Sequence, residues 1–183
     1  MKKFVRPLIL CAGLAIILSG ITVLKVMAQD GAITPQQTEY IRGNCITLKN
    51  TLNQTHVSDA LLRVNMGQRY ELMSTKLMDR FNSRLASNNF SNVGLVSDSN
   101  LYNSALDNFR KDYISYEEHL ATAISIDCVE SPIDFYKAVI VARARRNQVY
   151  ADILRLNQYI DQYRSTVGQF EKTFQSITEG LIN

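Results

Sequence analysis

From Val149 to Ile177 apolar side chains recur at alternating steps of four and three: Val149, Ile153, Leu156, Ile160, Tyr163, Val167, Phe170, Phe174 and Ile177. At 46% apolar composition, nine filled positions in one chosen register arise by chance about once in a thousand. A sustained period of 3.5 residues keeps one seam facing its neighbours only in a supercoiled helix. The C-terminal part of the chain is therefore expected to be a long helix in a coiled-coil-like, all-α assembly. No stretch alternates usefully at period two, and no repeat of about 20–50 residues is present.

Two further helices are expected. Thr34-Pro35-Gln36-Gln37 has a capping Thr, Pro at the first helical position and Gln at the third. Apolar positions then run Ile41, Cys45, Leu48 and Leu52, followed by Leu62, Met66, Tyr70, Met73, Leu77, Phe81 and Leu85. Gln54 to Asp59 (QTHVSD) is either a polar layer within one helix of about 80 Å or a break between two. Asn88 to Ser97, rich in Asn and Ser, reads as a loop. The second helix is expected from Ser97-Asp98 to about Asp127, with Tyr102, Leu106, Phe109, Tyr113, Tyr116, Leu120 and Ala123 inward. Ser131-Pro132 starts the third. The fold expected is an elongated antiparallel three-helix bundle with coiled-coil-like packing, its helices long, short and long.

Residues 1–28 carry an address. Lys2, Lys3 and Arg6 precede an apolar run from Leu8 to Leu24, and Val26-Met27-Ala28 offers a cleavage site before Gln29. This is the pattern of a secretory signal peptide, leaving residues 29–183 as a single helical domain. The rival reading is an uncleaved N-terminal anchor, for which the seventeen-residue run is at the short end. Cys11 lies inside the apolar run and is not placed for lipidation. The leader also accounts for the basic balance of the whole chain, net +3. It holds four bases and no acids, leaving sixteen bases against seventeen acids, net −1. No basic stripe invites nucleic acid.

Cys45 and Cys128 remain in the body. In an exported chain a disulfide between them is favoured over two separate buried thiols. Closing so long a loop gives at most about 4–5 kcal/mol in the chain-entropy model. The bridge would also set a register, since bonded cysteines hold their Cα atoms within about 7 Å. Residue 56 then stands near 117 and 146. That level holds His56, Asp59, Glu117, Glu118, His119, Arg145 and Arg146. Arg146 occupies a seam position between Ala142 and Val149, and a charge there needs a partner. Asp59 and Glu117 are the candidates. The favoured reading is an ion-pair layer that fixes register. A metal or acid–base site is disfavoured, because bundle metal sites use Glu-x-x-His pairs and His119 has Tyr116 three residues before it.

The same register leaves a groove above the short helix, lined by Met73, Leu77, Met78, Phe81 and Leu85 with Val167, Phe170, Phe174 and Ile177. Its cover is either the loop, through Phe90, Val93, Leu95 and Val96, or a partner chain or second copy. The loop is the favoured cover. The expected partner surface, where one docks, is Met73, Leu77, Met78, Phe81, Phe170, Phe174 and Ile177.

Enzymatic motifs are missing. The sequence has two His and no G-x-S-x-G, Walker A, G-x-G-x-x-G, H-E-x-x-H or C-x-x-C pattern. Gly67 and Gly168, inside helical pattern, suggest close helix approach. The ARARR knot with Arg143, Arg145 and Arg146 reads first as a solvated face. No catalytic residue, metal or cofactor is expected.

The strings DALLRVNMGQRYE (59–71) and IDCVESPIDFY (126–136) resemble uncharacterised exported helical proteins of candidate-phylum bacteria such as the Saccharibacteria. The resemblance covers most of the body and implies export and a helical fold, with no activity attached. The expectation is an exported, non-enzymatic interaction or structural protein of the cell envelope or extracellular space, with a protein partner or a homo-oligomer. A membrane-anchored stalk subunit of an envelope complex is the alternative, and a membrane is involved only if the leader stays attached.

Overall fold

The chain meets the demand of its C-terminal seam with helices alone. A computed structural model describes residues 33–182, which contain no strand; the expected leader lies outside the described residues. The helices are α1 (Pro35–Gly43), α2 (Cys45–Leu72), α3 (Asp79–Ser87), α4 (Val93–Ser125) and α5 (Pro132–Ile182). A π-helical segment, Met73–Met78, joins α2 to α3 without interruption. None of the described helices is long and apolar enough to cross a membrane.

The expected count of three is corrected to four, because the first helix is two. Asn44 leaves helical geometry (φ −114°, ψ 15°), and α1 ends there. Gly43 and Asn44 are both poor helix formers. The Asn44 side chain donates to the Tyr40 carbonyl at 2.9 Å, a local bond that competes with the helix ladder. The QTHVSD stretch does not break. Thr51, Asn53 and Thr55 donate to carbonyls four residues back, so their polar groups are satisfied along a continuous helix.

The starts of α1 and α5 follow local chemistry. Thr34 and Gln37 exchange side-chain and backbone bonds as a capping box, with Pro35 at the first turn. Pro132 begins α5. The loop between α3 and α4 is shorter than expected, because α4 begins at Val93 rather than Ser97. Asn89 takes a left-handed φ of 59°. Asn89 and Phe90 then donate to the Ala86 and Leu85 carbonyls, which closes α3. Tertiary burial overrides the loop-like composition: Leu95 is 2% exposed. Gly94 faces α5, where a Cβ would lie 3.4 Å from the Thr166 methyl, an ordinary van der Waals contact. Gly67 and Gly168 do not serve close approach within the chain, because a Cβ at either would meet nothing.

α4 is the spine. All seven expected inward positions, Tyr102 to Ala123, are buried, and α4 packs most densely on α5. The contacts share one order. Cys45 bonds Cys128 with Cα atoms 5.5 Å apart, Tyr116 bonds Asp59, and the Tyr102 hydroxyl donates to the Tyr70 carbonyl. Positions rising from Cys45 to Asn82 therefore meet falling positions in α4. They meet rising positions in α5: Asp59 with Arg146, Asn82 with Tyr163. A smaller core of Ile41, Cys45, Cys128 and Phe135 closes the disulfide end.

Candidate functional site

Asp59 of α2, Tyr116 of α4 and Arg146 of α5 form a knot. The Arg146 guanidinium donates in bidentate fashion, Nε to Oδ2 at 2.7 Å and Nη2 to Oδ1 at 3.0 Å. The Tyr116 hydroxyl donates to Oδ2 at 2.7 Å. Burial raises the Asp59 pKa, but the bonds from Arg146 and Tyr116 and the charges of Arg146 and His56 outweigh it. The carboxyl is held below its ordinary range. Burial and the Asp59 carboxylate push the Tyr116 hydroxyl well up. Neither group is poised to exchange a proton near neutrality, so the knot is suited to holding three helices in register.

The expected layer is brought together only in part. Glu117 accepts from the Tyr113 hydroxyl at 2.6 Å and lies 3.4 Å from His56 Nε2. No hydrogen bond or ion pair joins His119, Glu118 or Arg145 to the knot among the described residues. Arg146 is also less buried than a seam position implies: its side chain is 56% exposed, while that of Asp59 is 10%. The layer sits at the edge of the bundle rather than in its core. Among the described residues no three His, Cys, Asp or Glu side chains gather as a metal-binding group.

Beside the knot a cleft of about 290 Å³ opens between α2 and α5, with α4 as its floor. Phe109, Tyr113 and Tyr116 form the floor, and Leu62, Met66, Tyr150 and Ile153 stand along the walls. The Arg63 guanidinium lies 5.0 Å from the Tyr113 ring centroid, a cation–π contact. The lining is mostly apolar, with Asp59, Arg63, Arg146 and Asn147 as its polar groups.

The residues of the expected partner surface differ in exposure. Met78 is 2% exposed and Leu85 7%, while Met73, Phe81 and Phe170 are half-buried against the core. Phe90 reaches over from the loop, with ring centroids 6.0 Å from Phe170 and 5.3 Å from Phe174. Phe81 meets Phe170 edge-on at 6.2 Å. The chain's own Phe90 and Leu95 thus cover most of this groove, leaving Leu77, Phe174 and Ile177 exposed. Of the loop residues, Val93 is 77% exposed and contributes no cover. The π-helical segment explains Leu77. It shifts the inward face by one residue, so Ser74, Met78 and Asn82 point in where Met73, Leu77 and Phe81 continue the sequence pattern.

Two features escaped the sequence reading. Asp152 of α5 is 1% exposed, yet its Oδ2 has no hydrogen-bond partner. Its Oδ1 has Gln148 at 3.5 Å and Arg155 at 3.9 Å. Burial first, then the facing Asp112 carboxyl of α4, push its pKa up to about 6. The signal available was its place between Val149 and Leu156, three and four residues away on the seam side. The second feature is an outer row on α2: Ile46, Val57, Leu61, Val64 and Leu72 are 77, 61, 62, 51 and 51% exposed. At about 100° per residue this row lies roughly opposite Asp59, Met66 and Tyr70.

The chain matches no protein-family model, and no curated protein or solved structure is significantly similar to it.

Proposed function

We propose that the chain is an exported, non-enzymatic helical interaction protein of the cell envelope or extracellular space, binding a protein partner or itself through an apolar helical surface. In this reading α1 to α3, α4 and α5 work as the long, short and long members of an elongated antiparallel bundle. The observation that carries the proposal is α2. Of its 28 residues only Cys45, Asp59 and Tyr70 are buried, and Val57, Leu61, Leu62 and Val64 stand more than half exposed within about two turns. A cluster of exposed apolar side chains of this kind supports an interaction surface. The Cys45–Cys128 disulfide supports an oxidising compartment.

A photo-crosslinking side chain at Leu61, introduced into the chain in cells that make it, tests the proposal. Leu61 should yield a discrete protein adduct, and the same group at exposed Gln158 of α5 should not. Equal yields at the two positions would overturn it.

A further inference from the structure

The cleft beside the knot holds more positive charge than its own acid answers. Two guanidiniums, Arg63 of α2 and Arg146 of α5, line it together with one carboxylate, Asp59. That carboxylate is spent. Arg146 engages both its oxygens through Nε and Nη2, and the Tyr116 hydroxyl shares Oδ2. Glu117, next to Tyr116 in sequence, lies outside the lining and accepts from the Tyr113 hydroxyl. Arg63 has no carboxylate partner among the described residues; the Tyr113 ring holds it, 5.0 Å from centroid to guanidinium. A guanidinium over a ring keeps N–H donors for a carboxylate, and a planar fork suits that anion.

The rest of the cleft narrows the anion. The hydroxyls of Tyr113 and Tyr116 are already donated, so their rings, with Phe109, are what the floor offers. Leu62 and Tyr150 in the walls are 57 and 62% exposed, and an apolar body seated between them would take both out of water. A wholly polar anion such as phosphate would leave floor and walls unused. A neutral apolar ligand would leave Arg63 unanswered, and a cation would be repelled. The volume, about 290 Å³, is at the low end for a small-molecule site and suits roughly two rings.

We infer that this cleft binds a small aromatic carboxylate, with the rings on Phe109, Tyr113 and Tyr116 and the carboxylate on Arg63. The site is separate from the outer row of α2 and does not rest on it.

The test is calorimetric titration of the full chain, made in a secreting host and kept oxidised. The probes are 2-naphthylacetate, its primary amide and the matching ammonium, 2-(2-naphthyl)ethylammonium. The carboxylate should bind at one site per chain, about tenfold more tightly than the amide, with the ammonium weakest. Added salt should shrink that preference. Arg63→Gln should weaken the carboxylate about fivefold and leave the amide unchanged. Tyr150→Ala, in the wall, should weaken carboxylate and amide alike. Circular dichroism should show both variants as helical as the parent, since both side chains lie at the surface. No binding of the carboxylate up to its solubility, equal binding of carboxylate and amide, or a carboxylate affinity indifferent to Arg63→Gln overturns the inference. A tetrapeptide ending in a free Phe carboxylate that binds about tenfold more tightly than 2-naphthylacetate, and loses that affinity in Arg63→Gln, overturns it in favour of a peptide end.

Discussion

α2 and α4 are both long, both helical and both rich in apolar residues, yet α4 buries eleven of its 33 residues and α2 three of its 28. The difference is arrangement. In α4 most apolar residues fall on one stripe, packed against α2, α3 and α5, with Val93, Leu101 and Ile114 left outside. In α2 they fall on two opposite rows, and one bundle can bury only one of them. Apolar content thus says little about how firmly a helix is held; the number of stripes says more. A helix with a second stripe is held lightly by its own chain and has surface left to offer.

Measurements can break or sharpen this contrast. Because α2 places so few side chains in the core, its crosslink to the turn between α4 and α5 should matter most. Replacing Cys45 and Cys128 together by Ser should cost about 4–5 kcal/mol in urea unfolding; a loss below about 1 kcal/mol would mean that α2 is held by contacts the buried residues do not reveal. Within α4, Leu106→Ala, at a site 2% exposed, should cost about 3–5 kcal/mol.

Asp152 tests how strictly the α4–α5 interface excludes charge. The folded chain keeps this proton to about pH 6, while an unfolded chain releases it near the ordinary 3.8. Between those values the folded state binds more protons, so stability falls as pH rises from 4 to 6 and then levels, by about 2–3 kcal/mol. Asp152→Asn should remove that decline; a profile unchanged by the substitution would place the charge in water. At the edge, Asp59→Ala leaves the buried Tyr116 hydroxyl without its acceptor and should cost about 1–2 kcal/mol. Smallest is Leu61→Ala, at a site 62% exposed, expected to change stability by no more than about 0.5 kcal/mol. If it cost as much as Leu106→Ala, the contrast between the helices would be wrong.

Much of the architecture was legible because it depends on period and on two cysteines. The seam of α5, the stripe of α4 and the Pro-marked starts are local patterns. The odd charge at Arg146 pointed across the bundle to an acid, and Asp59 stands there. What escaped has physical reasons. The outer row of α2 interleaves with the inner one, so a search for a single stripe reads through it. Val93 to Ser97 carries the Gly and Ser of a loop, but burying Leu95 beneath α5 outweighs those preferences. The slip at Met73–Met78 needs a backbone irregularity that no side-chain pattern announces. Asp152 drew no expectation because sequence gives charge but not depth.

The cysteine placement has a consequence for how the chain matures. Synthesis runs from the N-terminus, so Cys45 emerges 83 residues ahead of its partner. Beyond the expected leader the chain holds no third cysteine, so oxidation has one intramolecular product and shuffling has nothing to correct. The hazard is instead timing. Until α4 and α5 follow, Cys45 is a lone thiol at the start of a helix that keeps most of its side chains exposed. A crowded or oxidant-rich compartment would then trap nascent chains in pairs, before Cys128 arrives to claim the bond.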